Sequence, residues 1–214
     1  MTRLLDLGID HIQNIIMDMA KLSENSVVIA IGSYQESINV KKQIFEWSEK
    51  LRVLQDEVAE LAIELIARYQ PLATDLRFIR SCMEIAYGFS RFGRYAYDIV
   101  EVIETMGSIS DCDKSAVLEM AKTVREMILL SGNALQSRDK DLAKRLYELD
   151  DTVDRLYRKY IRDTIIAQNE KPKDLRCYIS ASLILRYLER ISDHACYIGD
   201  SVDYIVTGNS SPRR

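Results

Sequence analysis

Apolar residues recur every three or four positions along most of the chain, which is the spacing of one buried face of an α-helix. The first run begins at about Leu4 and continues into the thirties, and the second begins near Val40 and stops before Gln70 and Pro71. The second helix is expected to end there because proline disfavours helix in the preceding residue. Only three prolines and eight glycines interrupt the 214 residues. The pattern therefore predicts long helices joined by short connections.

Four more helices are predicted in the rest of the chain. Thr74 and Asp75 have the short oxygen-bearing side chains that suit an N-cap, so the third helix is expected to start there. Glycine and proline then punctuate the remaining pattern. The third helix is predicted to end at Met106 and Gly107, and residues 107–113 are predicted to form a linker. A fourth helix follows and breaks at 137–139. The fifth helix is predicted to end at Pro172, and the sixth to extend from about Asp174 to Val206.

The two halves of the sequence resemble each other. Both contain a proline followed shortly by Asp-Leu-Arg, and these tripeptides begin at Asp75 and Asp174, an offset of 99 residues. The same offset aligns Ser81 with Ser180, Ile85 with Ile184, Arg91 with Arg190, Ala96 with Ala195 and Ile99 with Ile198. A duplicated three-helix unit predicts an all-α fold of two pseudo-equivalent three-helix bundles packed side by side, with residues 1–107 in the first and 108–214 in the second.

Composition and charge narrow the class of protein. The chain is 47% hydrophobic and 29% charged, as in ordinary globular proteins, and its net charge of −4 argues against a nucleic-acid partner. No apolar run approaches the roughly 20 residues of a membrane span, and the N-terminus lacks the basic-then-apolar order of a secretory signal. We expect a cytoplasmic protein that is monomeric or dimeric and associates with membranes only through membrane proteins.

The four cysteines show no metal-binding or redox spacing. Cys82, Cys112, Cys177 and Cys196 contain no C-x-x-C pair and lie mostly within apolar helical patterns. They are expected to be buried thiols in a reducing cytosol.

Acidic residues one turn apart are the candidate site. The apolar face of the sixth helix leaves Glu189 and Asp193 on a stripe with Cys196 and Asp200, directed away from the core. Asp150 and Asp154 have the same spacing on the fifth helix and flank an apolar ridge of Leu149, Val153 and Leu156. Like charges at this spacing destabilise a helix, so they need solvent, basic partners or a cation. Spacing alone favours a solvated acidic face.

Three sequence motifs resemble those of the PhoU family of phosphate-uptake regulators. Residues 187–195, Tyr-Leu-Glu-Arg-Ile-Ser-Asp-His-Ala, resemble its Leu-Glu-Arg-Ile-Gly-Asp signature, and residues 150–154 resemble its Asp-x-x-Val-Asp segment. Residues 70–77, Gln-Pro-Leu-Ala-Thr-Asp-Leu-Arg, resemble the turn between its second and third helices. The resemblance extends over essentially the whole chain.

The resemblance implies a non-enzymatic regulator that restrains phosphate uptake. Its expected partners are components of an ABC-type phosphate transporter and, in many bacteria, a membrane sensor kinase. Members of the family bind iron, zinc or other cations through acidic pairs, with occupancy that varies. The metal ligands carried over are Asp150, Asp154, Glu189 and Asp193.

The first half departs from this acidic pattern. Ser90 and Arg94 stand where the second half has Glu189 and Asp193, and Ser48 and Arg52 fall roughly where the acids of the second helix should be. A guanidinium cannot ligate a cation, so any metal is expected between helices five and six only.

Other functions remain as alternatives. A metal-binding helical accessory protein for another transporter or for metal homeostasis is the second candidate. A metal-dependent hydrolase is the third, disfavoured because no nucleophile and base pair, phosphate-binding loop or histidine ligand set is present. His194 is interpreted as a hydrogen-bonded boundary residue and His11 as a surface residue. The tyrosines and Trp47 are interpreted as core and boundary packing.

Overall fold

The computed structural model describes residues 4–170 and 174–209, which form six α-helices and contain no strand. The all-helical prediction is thereby confirmed. The helices are α1 (Leu4–Glu36), α2 (Lys41–Tyr69), α3 (Ala73–Met106), α4 (Ser115–Ser137), α5 (Lys140–Glu170) and α6 (Leu175–Thr207).

Local signals explain the end of α2 and the start of α6. Gln70 adopts a left-handed conformation with φ of 46°, and its N–H donates to Ile66 O, so α2 closes just before Pro71. Asp174 caps α6, because its side chain accepts a hydrogen bond from the backbone N–H of Arg176. Pro172 itself lies outside the described residues.

The predicted N-cap of α3 was wrong by two residues. Leu72 is the N-cap and makes no side-chain capping hydrogen bond, so Thr74 and Asp75 lie inside the first turn. Asp75 remains favourable in this position, because a carboxylate in the first turn interacts well with the positive end of the helix dipole.

The helices pack as two three-helix bundles. Helices α1, α2 and α3 contact one another, as do α4, α5 and α6, and the two groups meet where α3 packs on α6 and α1 on α4. The apolar face of α6 is buried, and its residues are Ile184, Leu188, Ile191, Ala195, Ile198 and Val202. The boundary at residue 107 stays a prediction.

Helices α3 and α6 are antiparallel and approach closely. Tyr95, near the end of α3, contacts Tyr187 in the first half of α6, whereas Arg80 lies over the ring of Tyr204 near the end of α6. A Cβ atom on Gly88 would lie 2.7 Å from Ile198 Cγ1. Gly88 thus permits a helix separation that a side chain would hinder.

The expectation of four thiols was wrong for two of the cysteines. Cys112, in the connection between α3 and α4, forms a disulfide with Cys177 in the first turn of α6, and their Cα atoms are 5.3 Å apart. Cys82 and Cys196 are buried thiols, as predicted. Cys196 therefore does not belong to the outward-facing acidic stripe of α6. Sequence spacing could not reveal the pairing, because 65 residues separate Cys112 from Cys177 and only tertiary packing brings them together.

Within the described residues, no helix combines the length and apolar character needed to cross a lipid bilayer.

Candidate functional site

The four carboxylates singled out in the sequence lie along the neighbouring helices α5 and α6. We call Asp150, Asp154, Glu189 and Asp193 the acidic face. Val153 on α5 and Leu188 on α6 are completely buried, so they fix which side of each helix faces the core. The side chain of Glu189 is only 12% exposed, whereas those of Asp154 and Asp193 are 33% and 45% exposed. The acidic face is therefore a partly desolvated surface rather than a fully solvated one.

The surroundings of the acidic face disfavour the ionised form of three of its carboxyl groups. Burial raises the pKa of Asp150, and the charges of Asp193 and Asp154 raise it further. Burial also raises the pKa of Glu189 and that of Asp193, and Asp154 contributes to both shifts. These shifts have the sign expected when like charges share a site of low polarity. The assignment of these four acids as metal ligands stays a prediction.

Arginines on the same helices partly neutralise these acids. Arg186 Nη1 donates to Glu189 Oε1 at 2.6 Å, and Arg190 Nη1 donates to Asp193 Oδ2 at 3.2 Å. On α5, Arg158 lies one turn beyond Asp154 and donates a hydrogen bond to the Asp154 carboxylate. These pairs were not among the predictions made from the sequence, although three- and four-residue spacing between opposite charges was the signal for them.

Asp150 is held by a serine from the opposite helix. Ser192 Oγ donates to Asp150 Oδ1 at 2.6 Å and also lies 3.1 Å from Met127 Sδ. This bond lowers the pKa of Asp150 and so opposes the larger effect of burial. Ser192 stands where the resembled signature has glycine, and that departure was the signal that could have identified it.

The acidic face fits a cation in its chemistry but not in its side-chain positions. Carboxylate oxygens suit hard or borderline metal ions, and Glu189 Oε2 is buried without a hydrogen-bond partner. Yet no three His, Cys, Asp or Glu side chains within 4–170 and 174–209 converge closely enough to hold a metal ion. Ligation would require Arg158, Arg186 and Arg190 to release their carboxylates.

The corresponding surface of the first half carries arginines that pair with local acids. Arg52 donates to Asp56 at 3.0 Å and to Glu49 at 3.3 Å. Arg94 lies 3.1 Å from Asp98. The charge of Arg94 favours the ionised form of Asp98, but burial raises the pKa of that carboxyl overall. Ser90 is buried. The two halves therefore arrange their acidic and basic side chains differently on equivalent helices.

His194 lies away from the acidic face, among aromatic rings between α3 and α6. Its ring contacts those of Tyr87, Tyr95 and Tyr197. Burial, with the nearby charges of Arg91 and Arg190, lowers the pKa of His194 to about 4. The interpretation of His194 as a hydrogen-bonded boundary residue is confirmed, and His11 is exposed as expected.

The chain matches the model of the PhoU domain twice, over residues 16–103 and 117–202. The chain belongs to the PhoU family. The two matches lie on opposite sides of the linker. The first match includes Arg52 and Arg94, and the second includes the acidic face.

Relatives of known sequence share this family along their length. A phosphate-specific transport system accessory protein PhoU homolog of Zymomonas mobilis is 30% identical over 217 residues, covering 98% of this chain and 88% of the relative. The equivalent protein of Pseudomonas putida is 28% identical, covering 94% of this chain and 79% of the relative.

Solved structures share the fold of this PhoU family chain. The crystal structure of PhoU from Pseudomonas aeruginosa superposes with a TM-score of 0.80 at 26% identity, covering 95% of this chain and 99% of the other. The phosphate transport system regulatory protein PhoU from Streptococcus pneumoniae superposes with a TM-score of 0.90 at 17% identity, covering 97% and 99%, and supports the fold alone. The resemblance inferred from the sequence motifs is confirmed.

Proposed function

We propose that this PhoU family protein is a non-catalytic, cytoplasmic regulator of phosphate uptake and phosphate signalling. The observation that carries the proposal is the whole-length similarity to relatives named as accessory proteins of the phosphate-specific transport system. The proposed partner is a component of an ABC-type phosphate transporter, whose activity the protein restrains. A sensor kinase is proposed as a second partner, and self-association as a homodimer.

Exposed apolar residues support action through protein contacts. Leu72 is 81% exposed beside the first Asp-Leu-Arg turn, and Leu76 within that turn is also exposed. Leu175, which is equivalent to Leu76 in the repeat, is 63% exposed, and Ile179 one turn later is exposed too. Clustered exposed apolar side chains commonly mark protein interaction sites. Each Asp-Leu-Arg turn therefore offers a surface suited to a partner.

Co-purification from the native cells tests this function. Tagged protein is expected to retain subunits of the phosphate transporter, and Leu72→Ser with Leu76→Ser, or Leu175→Ser with Ile179→Ser, to weaken that retention. Val53→Ser is the control, because the 53% exposure of Val53 falls within the range of the four tested residues but Val53 lies on α2, away from both turns. Recovery of an unrelated transporter in place of the phosphate transporter would contradict the proposal.

We also propose that the acidic face binds a metal ion, iron or zinc, as a secondary property of the regulator. The support is the partnerless buried oxygen of Glu189 and the raised pKa values of three of the four acids, because a cation would relieve both. The same observation favours the second candidate function, an accessory protein for another transporter or for metal homeostasis. The identity of the co-purified transporter separates the two functions.

A further inference from the structure

The disulfide between Cys112 and Cys177 ties the connection between α3 and α4 to the first turn of α6, and neither family similarity nor the acidic face explains it. We propose that it is a reversible redox site, opened by a dithiol reductant of the thioredoxin class and closed by oxidation. Cytosolic disulfides are usually transient and often report redox state. The proposal rests on the cytoplasmic location proposed above and is independent of the transporter partner.

The four cysteines divide into an accessible pair and a buried pair. Cys112 and Cys177 are both partly exposed. Cys82 and Cys196 are buried, and burial raises the pKa of the Cys82 thiol to about 12. A thiol that stays protonated is a poor nucleophile. Exchange is therefore confined to the Cys112–Cys177 bond.

The bond fastens a short connection to the start of a helix. Cys112 lies in the connection between α3 and α4, where Ile109 is 3% exposed and anchors the chain in the core. Cys177 lies in the first turn of α6, and its N–H donates to Asp174 O at 3.1 Å. Both segments keep these other anchors when the disulfide opens. Reduction is thus expected to loosen the two segments without unfolding the bundles.

A cleft beside the disulfide would respond to this loosening. It has a volume of about 320 Å³ and lies between the start of α4, the middle of α5 and the start of α6. Asp113 and Tyr178, the residues that follow Cys112 and Cys177 in sequence, both line it. The disulfide therefore links the two segments that carry Asp113 and Tyr178, and we expect its reduction to change the surface that the second half offers to a partner.

Reduction of the Cys112–Cys177 disulfide is a two-electron thiol–disulfide exchange with the dithiol. One thiolate of the reductant attacks a sulfur of the disulfide, which breaks the Sγ–Sγ bond, forms a mixed disulfide and releases the other cysteine as a thiolate. The second thiol of the reductant then loses its proton and displaces the remaining cysteine. The reductant leaves as a disulfide, and Cys112 and Cys177 end as thiols with two protons gained.

The thiol state in cells is measured by acid quenching, alkylation with N-ethylmaleimide under denaturing conditions, and intact mass. The full-length protein is expected to carry four labels in unstressed cells and two after treatment with the thiol oxidant diamide, with the change reversed when diamide is removed. Cys112→Ser with Cys177→Ser should carry two labels under both conditions. Cys82→Ala with Cys196→Ala should change from two labels to none. Four labels after diamide treatment would overturn the proposal, because the disulfide would not have formed. The proposal would also be overturned if dithiothreitol raised the count from two labels to four only in the presence of denaturant.

Hydrogen exchange tests the structural response of the purified protein. On reduction with dithiothreitol, protection of amides in 107–114 and 174–180 is expected to fall by about tenfold or more, while α1 amides keep theirs. The Cys112→Ser, Cys177→Ser protein should match the reduced form with or without reductant, and far-UV circular dichroism checks that it is folded. Unchanged protection in both segments would contradict the redox response. Neither experiment involves the transporter, so failure here leaves the proposed regulatory function intact.

Discussion

Tyr95 and His194 occupy equivalent positions in the two halves, 99 residues apart, and their side chains contact each other with Oη and Nε2 separated by 3.4 Å. Residues related by a local twofold can meet only close to its axis. The pseudo-twofold axis therefore passes through the antiparallel pair of α3 and α6 near these residues. Here the duplicated helix packs against its own copy, and the tyrosine of one copy supplies the hydrogen-bond partner for the histidine of the other.

The lowered pKa of His194 predicts a stability loss on mild acidification. The unfolded chain takes up a proton near the ordinary pKa of 6.5, whereas the folded chain resists until about pH 4. The free energy of unfolding should therefore fall as pH drops from about 6.5 towards 4. His194→Phe should reduce this fall in urea titrations at pH 7 and pH 5. His11→Phe is the control, because His11 is exposed, and an equal effect of both substitutions would show that His194 is not responsible.

The raised pKa of Glu189 predicts that neutralising this side chain stabilises the metal-free protein. The folded state binds the proton more tightly than the unfolded state, so the ionised carboxylate costs stability above the folded pKa, and this cost disappears below the unfolded pKa. Glu189→Gln should raise the free energy of unfolding by about 1 kcal/mol at pH 7, since removing a largely buried charge whose Oε2 has no hydrogen-bond partner outweighs the lost ion pair with Arg186. The gain should vanish near pH 4.

The comparison variant for this experiment is Asp154→Asn. Asp154 is more exposed than Glu189 and is paired with Arg158, so its neutralisation should stabilise less. A loss of stability in metal-free Glu189→Gln at pH 7 would contradict the prediction. If the acidic face binds zinc, adding zinc should make the wild-type protein more stable than Glu189→Gln, because the bound ion stabilises the wild-type protein more than the variant.

Metal binding is predicted to be confined to the second half. Asp154→Ala with Asp193→Ala should remove bound iron or zinc, measured by elemental analysis of purified protein. Arg52→Ala with Arg94→Ala should leave the metal content unchanged, because those guanidinium groups repel cations and offer no ligand. Metal retained by the first double variant, or lost only from the second, would show that the ligands were assigned wrongly.

The close approach of α3 and α6 predicts opposite effects for two glycine substitutions. Gly88→Ala should destabilise by about 1–3 kcal/mol, because its Cβ would meet Ile198 at 2.7 Å. Gly32→Ala should stabilise by about 1 kcal/mol, since Gly32 is helical, nothing lies within 4 Å of the added atom and alanine favours helix. Adding Ile198→Val should recover part of the loss at Gly88. Thermal unfolding of the three proteins tests this, and equal shifts at both glycines would rule out the steric explanation.

Local helical spacing accounts for part of the acidic face, whereas contacts between helices decide the rest. Helical spacing alone placed Asp150 with Asp154, and Glu189 with Asp193, on common faces. The charge pairs with Arg158 and Arg186 were readable from the same spacing but were overlooked. The bond from Ser192 to Asp150 was not readable, because it joins residues 42 apart on different helices.

The sequence by itself determined the six helices, the buried face of each, the internal repeat and the family, because these depend on periodicity and on contacts within one or two turns. Only the tertiary structure decided the partners of residues distant in sequence: Cys112 with Cys177, Ser192 with Asp150, and Tyr95 with His194. Periodicity shows that a side chain points towards a neighbouring helix, but the side chain it meets depends on how far each helix slides and rotates. That choice is made when the helix faces pack together.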